Sequence, residues 1–86
     1  MGIMETIYLD DFLKDGILKE KHFRNLVNEK KWEQFRDKYV LIKGCASAPI
    51  PTWAYLIITA ELSQFAKQIM YGELGSTIKV FRRKNI

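Results

Sequence analysis

The middle of the chain most limits the folds open to it. Residues 39–42 form a β-prone run with no polar alternation, which is typical of a strand buried on both faces. A helical pattern follows from Pro51 to about Lys67, and residues 69–72 form another short β-prone run. A strand, a helix and a strand within about 35 residues predict a βαβ unit with parallel strands and a right-handed crossover.

Further elements flank this unit on both sides. Residues 6–9 form a short β-prone run, and residues 18–28 carry apolar side chains three and four positions apart, the pattern of an amphipathic helix. Trp32 and Phe35 repeat that helical spacing. Residues 77–82 alternate as a last strand, which we expect at an edge of the sheet. The predicted fold class is α/β: a small mixed sheet of about four strands with a βαβ core and two main helices.

Length and composition fit one domain over residues 1–86. With 86 residues, 48% of them apolar and 28% charged, the chain can form one small core and is not a disordered tail. Its longest apolar stretch, residues 48–60, is about half the length of a membrane-spanning helix, and the first nine residues lack a secretory signal pattern. A single cysteine, Cys45, excludes an internal disulfide. We therefore expect a cytoplasmic protein with no membrane partner.

The net charge of +4 is unevenly distributed along the chain. The first fifteen residues are acidic, whereas residues 16–45 and the tail with Arg82, Arg83 and Lys84 are basic. A basic tail of this kind binds nucleic acid in some proteins, but charge on an edge strand also prevents aggregation. Because no series of stacking aromatic residues accompanies the bases, we expect no nucleic-acid partner and keep that function as a second alternative.

The loop after the buried strand is the predicted ligand site. In a parallel α/β unit, ligands bind where the carboxyl end of a strand leads into a helix N-terminus, and here that loop runs from Gly44 to Pro51. Free amides, the helix dipole and Lys43 favour an anion or another small ligand. A lone glycine does not match a phosphate-binding loop. The candidate ligand-binding residues are Lys43, Gly44, Cys45, Ser47 and Trp53.

Cys45 is the weak candidate for catalysis. A thiolate near a helix N-terminus is stabilised and becomes nucleophilic, so a thiol-dependent enzyme or redox protein is the first alternative function. No second cysteine follows, and the only histidine, His22, lies on another predicted helix. An inert, buried thiol is therefore the favoured interpretation. Since no cluster of His, Cys, Asp or Glu has ligand spacing, we predict no metal and no cofactor.

The predicted second helix is apolar on all sides in its first turns. Such a helix needs cover on more than one side, which is more than a small sheet provides. We expect a second copy of the chain to provide it, so that the protein is a homodimer. The expected dimer interface consists of Trp53, Tyr55, Leu56 and Ile57. The favoured function is a non-enzymatic homodimeric module for interaction or small-ligand binding.

Three segments of the chain, residues 18–24, 32–40 and 49–55, resemble an uncharacterised bacterial family, domain-of-unknown-function family 2480, known mainly from the Bacteroidetes. The most specific part is the run from Pro51 to Tyr55. Family members are longer and hold two related segments, which implies that a chain with one segment pairs with a second copy. Their second segment has Gly-Glu-Pro-Cys-Ser where residues 72–76 here read Gly-Glu-Leu-Gly-Ser, so no two-thiol or metal role is implied. The resemblance implies no activity.

Overall fold

The computed structural model describes residues 4–44, 47–73 and 75–84. Within these residues the chain forms four strands, two α-helices and two short 3₁₀ helices. The strands are β1 (Met4–Tyr8), β2 (Tyr39–Lys43), β3 (Gln68–Glu73) and β4 (Ser76–Arg82). The α-helices are α1 (Glu20–Glu29) and α2 (Thr52–Leu62), and the 3₁₀ helices are Leu9–Phe12 and Trp32–Phe35. In the described residues, no helix is both long and apolar enough to cross a membrane.

The strands form one mixed sheet in the order β1-β2-β3-β4. The first three strands are parallel, and β4 returns antiparallel to β3. Since α1 joins β1 to β2 and α2 joins β2 to β3, the chain contains two successive βαβ units, of which the second is the predicted one. A register shift between Ile69 and Met70 makes the β3–β4 pair irregular. The predicted α/β fold with a small mixed sheet is confirmed, and β4 lies at an edge as expected.

Both helices pack on the same face of the sheet. One buried cluster joins Phe23 of α1 and Ile58 of α2 to the strand residues Val40, Ile42 and Ile69. Strand side chains alternate between faces, so Leu41 and its neighbours in register lie on the opposite face. None of the described helices covers that face. The molecule is accordingly thin, with a shortest extent of 19 Å, because it has two layers.

The amphipathic helix α1 forms where the spacing predicts it. Phe23 and Val27 are four residues apart, and both are buried against the sheet. The indole N–H of Trp32 donates to the carbonyl of Val27 at 2.8 Å. This bond fixes the following 3₁₀ turn against the end of α1, so that Trp32 and Phe35 enter the same core.

The apolar helix α2 is shorter than its sequence predicts, ending at Leu62 and not near Lys67. The backbone amides of Phe65 and Ala66 both donate to the carbonyl of Leu62, which closes a turn in place of another helical turn. Ala54, Ile58 and Leu62 are buried four residues apart and form the inner face of the helix. Its outer face, opposite the sheet, is exposed at Leu56.

Candidate functional site at the carboxyl ends of the strands

Lys43, the last residue of β2, links the carboxyl ends of three strands. Its Nζ lies 3.2 Å from Oε1 of Glu73 on β3 and 5.6 Å from the ring centroid of Tyr8 on β1. The Glu73 carboxylate is largely exposed, whereas the Lys43 side chain is mostly covered. Because this ammonium group already has a carboxylate partner, it attracts an anion less strongly than a free lysine would.

Gly44 follows β2 and makes room for an aromatic pair. A Cβ at this position would contact the hydroxyl of Tyr55, which comes from the first turn of α2. The Tyr55 ring meets Tyr71 of β3 edge-on, with 5.1 Å between centroids and 81° between planes. A side chain at this position would therefore have to displace the Tyr55 ring.

The predicted ligand-binding residues do not all gather around Lys43. Gly44 is adjacent to it and Ser47 is exposed on the following loop, whereas Cys45 lies outside the described residues. Trp53 turns toward the other helix, and its ring centroid lies 5.7 Å from that of Phe23 on α1. The structure brings two aromatic neighbours, Tyr55 and Tyr71, to this end of the sheet. The sequence does not predict their contact, because it depends on how α2 crosses the sheet.

A shallow cleft of about 360 Å³ lies beside the loop. It is lined by Gly16, Ile17, Leu18, Ala48, Pro49, Ile50 and Pro51. None of these residues has a charged side chain, so the cleft offers little to orient a polar ligand. Elsewhere, His22 of α1 lines a surface groove with three lysines and Asn25. In residues 4–44, 47–73 and 75–84, no three His, Cys, Asp or Glu side chains form a group that could hold a metal ion.

The basic tail divides between the two faces of the sheet. On the face without helices, Arg82 Nη1 donates to Oε1 of Gln68 at 2.6 Å, and the guanidinium lies 5.8 Å from the Tyr39 ring centroid. Arg82 Nη1 also donates to the Tyr39 hydroxyl at 3.5 Å, and this hydrogen bond and the positive charge of Arg82 lower the pKa of the Tyr39 phenol, because they stabilise the phenolate. On the helix face, Arg83 donates to the carbonyls of Ser63 and Ala66. The two neighbouring arginines therefore have different roles.

The predicted dimer-interface residues differ in exposure. Leu56 is 63% exposed and Trp53 is partly exposed, whereas Tyr55 and Ile57 pack against the core. On the sheet, Tyr71 contacts Tyr55 and pairs in register with Ile78 on β4. Ile78 is 66% exposed and Tyr71 41%. We call these two neighbouring exposed residues, Tyr71 and Ile78, the apolar ledge.

Comparison with known proteins adds a family and no activity. A family model described as "Protein of unknown function (DUF2480)" matches residues 2–68 and, in an overlapping stretch, residues 32–83. No curated protein and no solved structure matches the chain. A function must therefore be inferred from the surface that the fold presents.

Proposed function

We propose that this chain, which belongs to the DUF2480 family of proteins of unknown function, is a non-enzymatic interaction module that acts as a homodimer. The observation that carries the proposal is the apolar ledge. Its side chains come from the neighbouring strands β3 and β4, and Ile78 is two-thirds exposed. A surface of this kind marks a contact site, because exposed apolar side chains grouped together gain free energy when a partner covers them.

The edge strand β4 supports a second copy of the chain as the partner. β4 has a strand neighbour on one side only, so its other edge presents backbone N–H and C=O groups that a further strand can pair. Two β4 strands related by a twofold axis run antiparallel, and the same surface then contacts itself. The dimer we propose joins the two sheets through β4 and covers the ledge of each copy.

The basic side chains of β4 lie on the face opposite the ledge. Lys79 pairs in register with Met70, and Arg82 with Gln68, so both point to the face opposite the helices. Ile78 points to the helix face, where the ledge lies. The proposed dimer therefore buries Ile78 while Lys79 and Arg82 keep their contact with water.

A matched pair of substitutions tests this proposal. Full burial of an aliphatic side chain contributes about 1.5–3 kcal/mol, so covering Ile78, two-thirds exposed, contributes about 1–2 kcal/mol in each copy. Ile78→Glu affects both copies and should weaken dimerisation by about 30-fold or more. Ile17, 58% exposed in the turn before α1, offers the control, and Ile17→Glu should leave the dissociation constant unchanged. Equal effects of the two variants would contradict the proposed surface.

We also place the protein in the cytoplasm. A single thiol, Cys45, fits a reducing compartment, where unpaired cysteines persist. Fractionation of cells that produce the tagged chain tests this location, and recovery in a membrane or secreted fraction would contradict it.

A further inference from the structure

The sheet has an open face, defined here as the face opposite the helices. Its register places Tyr39, Gln68 and Arg82 in one row and Leu41, Met70 and Lys79 in the next. Tyr8 and Lys43 pair in the row at the carboxyl ends of the parallel strands. The charged side chains in these rows, Lys43, Lys79 and Arg82, are all basic.

We propose that the open face binds single-stranded nucleic acid, with Tyr8 and Tyr39 stacking on bases and Lys43, Lys79 and Arg82 contacting phosphates. Aromatic side chains on a flat sheet offer stacking positions for unpaired bases, and cations beside them hold the backbone. Both tyrosines are on this face, at opposite ends of neighbouring strands. Four residues along a strand rise about 13 Å, so each ring would take a separate base.

Each tyrosine on the open face has a cation over one face of its ring. Lys43 lies 5.6 Å from the centroid of the Tyr8 ring, and Arg82 lies 5.8 Å from that of Tyr39. A base stacked on the other face of either ring therefore has its phosphate within reach of a positive charge. The hydrogen bond and the positive charge of Arg82 also lower the pKa of the Tyr39 phenol.

Charge and burial favour nucleic acid over a protein on this face. Only Glu5 and Glu73 of the ten acidic residues lie on strands. Glu5 pairs in register with Val40, which faces the helices, and Glu73 is paired with Lys43 at the edge of the open face. The apolar centre of the open face, Leu41 and Met70, is already buried, so it offers little surface for a protein partner to cover. The tyrosine rings and basic side chains that remain exposed on this face complement a polyanion with planar groups. The open face is also distinct from the apolar ledge, so this proposal and the homodimer can fail separately.

Fluorescence anisotropy with the full chain tests the proposal. The probes are labelled single strands of RNA and of DNA, about ten nucleotides long and of mixed sequence, with the duplex of the same sequence as comparison. We expect at least one of the two single strands to bind more tightly than the duplex. The affinities for the RNA strand and the DNA strand show which of the two nucleic acids the open face prefers. Inorganic polyphosphate, a polyanion without bases, should compete poorly.

Substitutions separate stacking from charge. Tyr39→Leu should weaken binding by about 5- to 150-fold, the range for losing one stacked base, whereas Tyr39→Phe keeps the ring and most of the affinity. Arg82→Gln should make the slope of log affinity against log salt shallower by about 0.7, the value for one phosphate contact on a single strand. Arg24→Gln removes an exposed arginine paired with Glu20 on α1 and is the charge-matched control.

Glu73→Gln should strengthen nucleic-acid binding, whereas the Tyr39→Leu and Arg82→Gln substitutions should weaken it. The Glu73 carboxylate holds Lys43 at the edge of the open face, so its removal frees the ammonium group for a phosphate. Binding should become tighter and the salt slope steeper by about 0.7. Thermal melts show whether each variant is folded, and Tyr8→Leu, at an exposed ring, replaces Tyr39→Leu if that variant unfolds.

Three results would overturn the proposal. The first is no binding of either single strand at about 100 μM protein in about 50 mM salt, where phosphate contacts are strong. The second is binding that polyphosphate displaces as well as the single strand does and that survives loss of either tyrosine ring. The third is an equal loss of affinity from Arg24→Gln and Arg82→Gln.

Discussion

Arg83 should be essential for stability, whereas its neighbour Arg82 should not. Arg83 Nη2 donates to the carbonyl of Ser63 at 2.7 Å and its Nε to that of Ala66 at 3.2 Å, so that it holds the turn that ends α2. Hydrogen bonds from a charged group contribute about 1.5–3 kcal/mol each when buried, and roughly half of that at this partly buried site. The attraction of a cation to a helix C-terminus adds about 0.3–1 kcal/mol.

We therefore expect Arg83→Gln to lower the free energy of unfolding by about 2–4 kcal/mol, which for a domain of this size lowers Tm by about 10–30 °C. Arg82→Gln removes the same charge at an exposed position and should change stability by less than about 0.5 kcal/mol. Arg83→Lys keeps the charge but not the planar pair of donors, so it should lose about half as much as Arg83→Gln.

Urea unfolding followed by circular dichroism measures these differences. All variants are compared at one protein concentration, since self-association makes stability depend on it. Equal losses for Arg82→Gln and Arg83→Gln would refute the reasoning, because the two arginines would then act only through their charge. A free energy of unfolding for Arg83→Gln within about 0.5 kcal/mol of the unchanged protein would refute it as well.

Three further predictions concern the core and the open face. Gly44→Ala should cost about 1–3 kcal/mol, because its Cβ would contact the Tyr55 hydroxyl, and adding Tyr55→Phe should recover part of the loss in urea unfolding. Trp32→Phe loses a buried hydrogen bond to an α1 carbonyl and leaves a cavity, so the free energy of unfolding should fall by about 1–3 kcal/mol. An unchanged urea midpoint would contradict this. In an ultraviolet titration Tyr39 should lose its proton at lower pH than an ordinary tyrosine, and Arg82→Gln should raise the pKa of Tyr39; no change would contradict the contact.

Local periodicity predicts most of the strands. Residues 39–42 and 77–82 were predicted as strands, and the observed strands are Tyr39–Lys43 and Ser76–Arg82. These runs are rich in β-branched and aromatic residues, whose side chains fit a pleated surface wherever the strand lies. The end of α2 was predicted wrongly because the tertiary contacts of Arg83, about twenty residues further along the chain, hold the turn there.

The candidate surfaces depend on strand order, which periodicity does not encode. Because the first three strands run in sequence order and both helices pack on one face, the other face stays open. Tyr71 and Ile78 form the apolar ledge because β3 pairs with β4 in this register. In the sequence, the exposed Leu56 cannot be distinguished from the buried Ile58 two residues later, since both lie in one apolar run.

The mass of the chain in solution tests the homodimer most directly. Sedimentation velocity over a dilution series, from about 100 μM down to nanomolar protein, covers the affinities that such an interface gives. We predict twice the chain mass of 10.1 kDa at the upper concentrations, falling toward 10.1 kDa on dilution. A mass of 10.1 kDa across the whole series would contradict the homodimer, and with it the role assigned to the apolar ledge.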